Sequence, residues 1–232
     1  APVIPVLVTR PGAEALAFAK ALDLRFGNRV RPVVAPLLAP RNLTPDLPDG
    51  PHAAVVFTSA QAVEAPRPLL DRLPGLAWCV GRRTARPATQ AGFRARSADG
   101  DAEMLLAALA ADPPVGSILY LRGVDTAANI LERLRNLGMI AHEAIVYVQE
   151  PLPLTPEAAA LLQQPGDVIV PLFSHRTAQL FRAGLPATIS ARLHVAAMSA
   201  TVASALGDLP PASMVTAAEP TAEGMLQAVE TL

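Results

Sequence analysis

The stretch Ala53–Ala65, AAVVFTSAQAVEA, returns in altered form as Asp167–Phe181, DVIVPLFSHRTAQLF, with Ser59 against Ser174. Each copy is a short apolar run that ends in a hydroxylated residue and gives way to a helical pattern, as a buried strand feeding a helix does. Working outward, the same register pairs AWCVGRRTARPATQAGF (77–93) with HVAAMSATVASALGDL (194–209), setting Thr84 against Thr201. It also pairs DAEMLLAAL (101–109) with TAEGMLQAV (221–229). At the front, VLVTRPGAEALAFAKAL (6–22) matches ILYLRGVDTAANILERL (118–134), with Arg10 against Arg122. Segments that match in one order describe a repeated supersecondary unit, which fixes the architecture before any single residue is read.

The alternation of apolar strands with amphipathic helices implies parallel sheets. The predicted fold class is α/β: two similar lobes, each a parallel sheet flanked by helices, joined by a two-strand connector. RVRPVVAPLL (29–38) and AHEAIVYVQEP (141–151) hold equivalent places in the two halves and carry prolines near their ends, so they read as the links. The chain then crosses twice between lobes. Lobe 1 is expected to combine 1–34 with 150–232, lobe 2 to span 49–137, and 35–48 and 138–149 to form the connector strands. Two thin links make a hinge and relative lobe motion the expectation. Strand ends run into Ser59, Gly81, Ser174 and Ser199, residues that begin helices. Ligands of open α/β sheets bind beyond the carboxyl ends of the strands, where helix N-termini offer N–H donors, so two such edges facing each other would make an anion-attracting cleft.

Composition narrows the function classes. At 51% apolar and 17% charged residues over 232 positions, the chain is expected to bury a substantial core. A net charge of −1 gives no overall pull toward a phosphate backbone, which argues for no nucleic acid partner. Arg, Asp or Pro interrupts every apolar run, so no membrane span is expected, and the strand-like opening APVIPVLVTR predicts no export signal. The one cysteine, Cys79, excludes a disulfide framework and fits a reducing, cytoplasmic setting. Nearly all cations are arginine, Lys20 being the sole lysine, and arginine's planar fork suits carboxylates, although a coding bias explains the preference equally.

Several chemistries find no support. His52, His142, His175 and His194 are singletons without ligand spacing, so no metal site is expected. Ser174 beside His175 lacks a G-x-S-x-G elbow, and sequence neighbours on a helix point apart. Neither G-x-G-x-x-G nor the phosphate-loop pattern occurs. Glu150, Glu157 and Asp167 are scattered, so a paired-carboxylate mechanism has no foothold.

Taken in order, VLVTRPGAEALAFAKAL, PVVAPLL, VVFTSAQAVEA, CVGRRTARPATQAGF, LRGVDTAANILERLRNLGMIAHEAIVYVQEP, LFSHRTAQLF and AAEPTAEGML resemble the uroporphyrinogen-III synthase family along nearly the whole chain. The chain departs from that pattern at Gln61 for a common Asn, at His175 after Ser174 where the family often has Ser-Pro, and at Ser199–Ala200 where a Gly-Pro is expected. The resemblance implies a linear tetrapyrrole substrate, hydroxymethylbilane, closed to uroporphyrinogen III with inversion of the last pyrrole ring and loss of water. It implies no cofactor and no metal, because the enzyme's main task is to hold one folded conformation of a reactive substrate.

On the same resemblance, Tyr147 in the VY motif is the catalytic candidate: a phenol with an ordinary pKa of about 10 stays protonated at neutral pH and can donate to a leaving hydroxyl. Ser59, Thr84, Ser174, Thr201 and Thr221 match family positions at helix starts, where hydroxyls and N–H groups can receive carboxylates; each also reads as a helix cap. Arg10 and Arg122 lie just after strands in VLVTRP and LYLRGV and are candidate carboxylate clamps, with an internal ion pair or a solvated strand end the alternative, above all for Arg122. Arg82 and Arg83 are further candidates. A monomer is the default state. The rival reading is a two-lobed cytosolic protein that binds a tetrapyrrole or small anion without catalysis, and a lapsed relative of the synthases is a third.

Overall fold

Strands form where apolar runs can be buried on both faces, and the chain supplies such runs at regular intervals. The computed structural model describes residues 2–126 and 128–232. Strands β1 (Ile4–Val8) and β2 (Val30–Val34) flank helix α1 (Gly12–Phe26). After β3 (Leu38–Asn42) come β4 (His52–Phe57), α2 (Ala60–Glu64), β5 (Leu76–Cys79), α3 (Arg82–Gln90), β6 (Arg94–Ser97) and α4 (Ala102–Ala111). The chain continues through β7 (Ser117–Gly123), α5 (Ile130–Asn136) and the long β8 (Ala141–Pro151). It ends with α6 (Pro156–Gln163), β9 (Gly166–Leu172), α7 (His175–Ala183), β10 (Ala191–Ala197), α8 (Ala200–Ser204), β11 (Ser213–Thr216) and α9 (Ala222–Glu230).

Two compact units result, one of Ala1–Ala39 with Glu150–Leu232 and one of Pro40–Gln149. In the first, five strands pair in parallel in the order β11-β10-β9-β1-β2. Period-two alternation sorts their side chains. Val6, Val8 and Ile169 pack with Phe18 and Met225 on one face, while Leu7, Val168, Val170 and Leu172 pack with Phe181 on the other. In the second, the order is β3-β8-β7-β4-β5-β6. Val55, Phe57, Leu119 and Leu121 bury one face, and Ala54, Val56, Trp78 and Tyr120 the other.

Of the stretches read as connectors, RVRPVVAPLL supplies β2 to the first sheet, whereas 35–48 contains β3 and 138–149 most of β8, both strands of the second sheet. β8 pairs in parallel with β7, and β3 lies beside β8. Leu152 N–H donates to Leu37 O and Leu43 N–H to Val146 O. Partners that fall on one strand as they rise on the other make this ribbon antiparallel, so the second sheet is mixed at its β3 edge.

The sequence repeat explains the two strand orders. It equates β1 with β7, β9 with β4 and β10 with β5, and the equivalent extended segments equate β2 with β8. Under that correspondence β2-β1-β9-β10-β11 and β8-β7-β4-β5-β6 are the same sheet. Each sheet takes two strands from the front of one half and three from the back of the other, so the halves of the sequence exchange parts. Both orders are doubly wound, with the direction of winding reversing between β1 and β9 in one unit and between β4 and β7 in the other. That reversal is where such sheets bind ligands, beyond the strands' carboxyl ends.

Candidate functional site

Thr58 and Ser59 leave the carboxyl end of β4 at the second sheet's reversal point. Ser59 is extended, and its Oγ accepts the Ala62 N–H at 3.1 Å, which caps α2. The same Oγ lies 3.1 Å from the Tyr147 hydroxyl. One residue earlier, Thr58 Oγ1 lies 3.1 Å from the hydroxyl of Tyr120, a ring 1% exposed. Two consecutive hydroxyls thus meet the chain's two phenols, which are carried on the neighbouring strands β7 and β8. Around them is a pocket of roughly 290 Å³ lined also by Arg122, Gly123, Asp125 and Thr126.

Tyr147 reaches this edge because β8 is irregular. Arg122 pairs with Ile145 but Gly123 with Tyr147, so one extra residue of β8 is accommodated between them. Such a bulge re-aims side chains. Val146 and Tyr147, consecutive in sequence, both pack on the Phe57–Leu121 face, which regular alternation would not allow. Val124 N–H then donates to the Tyr147 carbonyl at 3.0 Å.

Arg122 is turned inward. Its Nε and Nη2 donate to Glu143 at 2.8 and 3.0 Å, and Nη1 donates to the carbonyls of Gly123 and Val124 at 2.9 and 3.0 Å. Four of its five N–H groups are thereby engaged, so it braces the wall of the pocket. The guanidinium in turn holds the Glu143 carboxyl below the usual carboxylate range. A carboxylate whose folded pKa is depressed contributes stability above its unfolded pKa, and that contribution is lost as pH falls through the folded value. Glu143→Gln is therefore expected to flatten the loss of stability as pH falls below about 4.3, the ordinary glutamate value. Urea unfolding followed by the fluorescence of Trp78, the only tryptophan and a member of the same unit, measures it. A variant that loses stability as steeply as the parent would show that the pair carries none of the acid sensitivity.

The first unit places Arg10 and Ser174 at its reversal point, with Thr201 and Thr221 at the ends of β10 and β11. Arg10 follows β1, with its Cζ 4.0 Å from the Phe173 ring centroid and Nη2 donating to Glu14 at 3.1 Å. Ser174 caps α7 by accepting from Thr177 N–H, and its hydroxyl donates to Thr177 Oγ1 at 2.8 Å. His175 Nδ1 lies 3.1 Å from the Thr201 carbonyl, joining the start of α7 to that of α8. The departures at His175 and Ser199–Ala200 are thus brought together in space. Thr221 caps α9 through Gly224 N–H at 2.9 Å. Thr84, in the first turn of α3, is 3% exposed and faces the core, unlike the exposed Thr201.

The structure therefore gathers Ser59, Arg122 and Tyr147 into one pocket and adds Thr58, Tyr120, Gly123, Asp125 and Thr126, which the sequence reading missed. Arg82 pairs with Asp99 at 3.1 Å. Burial pushes the Cys79 thiol up to about 12, too high for a nucleophile at neutral pH. His52 and His142, far apart in sequence, have ring centroids 5.8 Å apart, yet both nitrogens of His52 are engaged, by Ser117 Oγ and the Pro48 carbonyl. Among the described residues no cluster of three or more metal-binding side chains occurs, and no helix is long and apolar enough to cross a membrane. A Ser213–His194–Asp167 chain, with links of 2.7 and 2.8 Å, lies at the opposite, amino edge of the first sheet. Asp167 also holds Arg192 there, and the group reads as a polar ladder tying β9, β10 and β11 together.

A family model described as uroporphyrinogen-III synthase HemD matches residues 22–227, nearly the whole chain. No curated protein matches it. Among solved structures, the chain is similar to the uroporphyrinogen-III synthetase of Helicobacter pylori 26695, at 18% identity over 99% of each chain with a TM-score of 0.66, which shows the fold. A mutant uroporphyrinogen III synthase from the extremely thermophilic bacterium Thermus thermophilus aligns over 100% of both chains at 16% identity, but with a TM-score of 0.47 that likeness carries no argument.

Proposed function

The chain belongs to the uroporphyrinogen-III synthase family, and from that premise we propose how its residues carry the reaction. The activity is closure of hydroxymethylbilane to uroporphyrinogen III with inversion of the last pyrrole ring and loss of water. The Tyr147 phenol donates to the departing hydroxyl, which leaves as water. For the last ring to invert, its bond to the bridging methylene breaks and re-forms at that ring's unsubstituted α-carbon, which gives up its hydrogen as a proton, so the phenol is restored over the whole reaction. Ser59 fixes the direction of the phenol, and the free helix N–H groups beyond β4 receive a substrate carboxylate. In the first unit Arg10, its Cζ 4.0 Å from the Phe173 ring centroid, is a candidate carboxylate contact, while Ser174, Thr201 and Thr221 cap or flank helix starts that offer N–H groups. Arg122 serves by bracing the pocket rather than by touching substrate.

The observation that carries this reading is the 3.1 Å contact between Ser59 and Tyr147 at a pocket on the sheet's reversal point. Unaided closure gives the type I isomer, so the protein's contribution is control of geometry. The enzyme is read as a cytosolic monomer, a setting that the buried, reduced Cys79 supports. Isomer analysis tests the function: freshly generated hydroxymethylbilane is supplied, the product oxidised, and type I separated from type III by chromatography. Predominantly type III is expected. Type I alone, as in the enzyme-free control, would leave a protein that binds the tetrapyrrole without steering its closure.

A further inference from the structure

We propose that Gly123 is the positioning residue for Tyr147, present so that the phenol can pass over the end of β7 and reach Ser59. A Cβ built on Gly123 would lie 2.6 Å from Tyr147 Cζ, 2.8 Å from Cε2 and 2.9 Å from the hydroxyl oxygen. Each separation is far inside van der Waals contact, so no side chain fits at 123 while the phenol stays where it is. The backbone does not ask for glycine here, since Gly123 is not among the residues with positive φ. The requirement comes from the ring alone. The β8 bulge sets Tyr147 opposite Gly123, and the Val124 N–H to Tyr147 carbonyl bond locks that register. Bulge, glycine and Ser59 together form a seat for one phenol.

The atoms an added methyl meets are the far end of a side chain, so the ring swings aside instead of the strands separating. The fold survives, but the hydroxyl leaves Ser59 and the pocket. Gly123 touches no substrate in this account; it acts through Tyr147, and the effect on activity rests on the function proposed above.

The chain has two tyrosines, so ¹³C labelling at Cζ gives two resonances, and Tyr147→Phe assigns one of them. Gly123→Ala is expected to shift the Tyr147 resonance and leave that of Tyr120 in place; an unmoved Tyr147 resonance overturns the proposal. On activity, Gly123→Ala is expected to lower type III formation about tenfold, comparable to loss of the hydroxyl itself, and to lower it no further in the Tyr147→Phe background. Equal losses in both backgrounds would mean that Gly123 acts by another route and would also overturn it. A parent protein that forms only type I would sink the synthase reading, yet the resonances would still decide the positioning. Should Gly123→Ala fail to fold, Gly123→Ala with Tyr147→Ala removes the opposing ring and is expected to recover the folded state; failure of that rescue counts against the proposal.

Discussion

Tyr147→Phe is expected to reduce type III formation by about tenfold or more, equivalent to about 1.4 kcal/mol of transition-state stabilisation. The substitution removes one oxygen. The ring keeps its place against the Phe57–Leu121 face, and Ser59 Oγ keeps the Ala62 N–H that caps α2. Stability is therefore expected to change by no more than about 1 kcal/mol, the net worth of a single hydrogen bond. The hydroxyl donates most strongly when negative charge develops on the leaving oxygen, so the loss should fall on kcat with KM little altered. Single-turnover rates with fresh substrate and chromatographic isomer ratios measure both. An unchanged rate would remove Tyr147 from the chemistry and leave the shape of the site as the whole account.

How far the sequence reveals the molecule depends on whether a feature is local. Strands buried on both faces read as apolar runs, and helix starts read as Ser or Thr at their ends, so the repeat carries the strand correspondence under which the two sheets share one strand order. The exchange of parts between halves was signalled only by RVRPVVAPLL and AHEAIVYVQEP. The first supplies β2 to the first sheet, while the second enters the second sheet by β8 pairing with β7, a non-local event that no motif marks. The site follows the same division. Ser59 and Ser174 cap through bonds to residues three positions on, which sequence spacing can anticipate. Arg122 finds Glu143 across adjacent strands, Tyr147 finds Ser59 through a bulge, and Tyr120 is hidden in the apolar string ILYL. Thr84 and Thr201 match in the repeat yet differ in burial, because an alignment fixes place in an element but not which neighbours cover the face.

The pocket stands on the strand beneath it, and Phe57→Ala is expected to destabilise the second unit by about 3–5 kcal/mol. Phe57 is fully buried on β4, the strand at the reversal point, with Cys79 on one side and Leu121 on the other. Its ring meets Phe93 edge to face at 5.4 Å and 71°. Truncation removes both the transfer free energy of the ring and the aromatic pair, and it leaves a cavity directly before Thr58 and Ser59. Trp78 lies in the neighbouring strand, so its fluorescence in urea reports this loss for the unit that contains it. Phe57→Leu, which retains most of the volume, is expected to cost roughly 1–2 kcal/mol on the same axis. Both variants should lose isomer control in proportion to the disorder they introduce at Ser59, whereas Tyr147→Phe should lose it with the core intact. A Phe57→Ala protein as stable as the parent would mean that the two hydroxyl–phenol contacts are held in place by something other than the sheet below them.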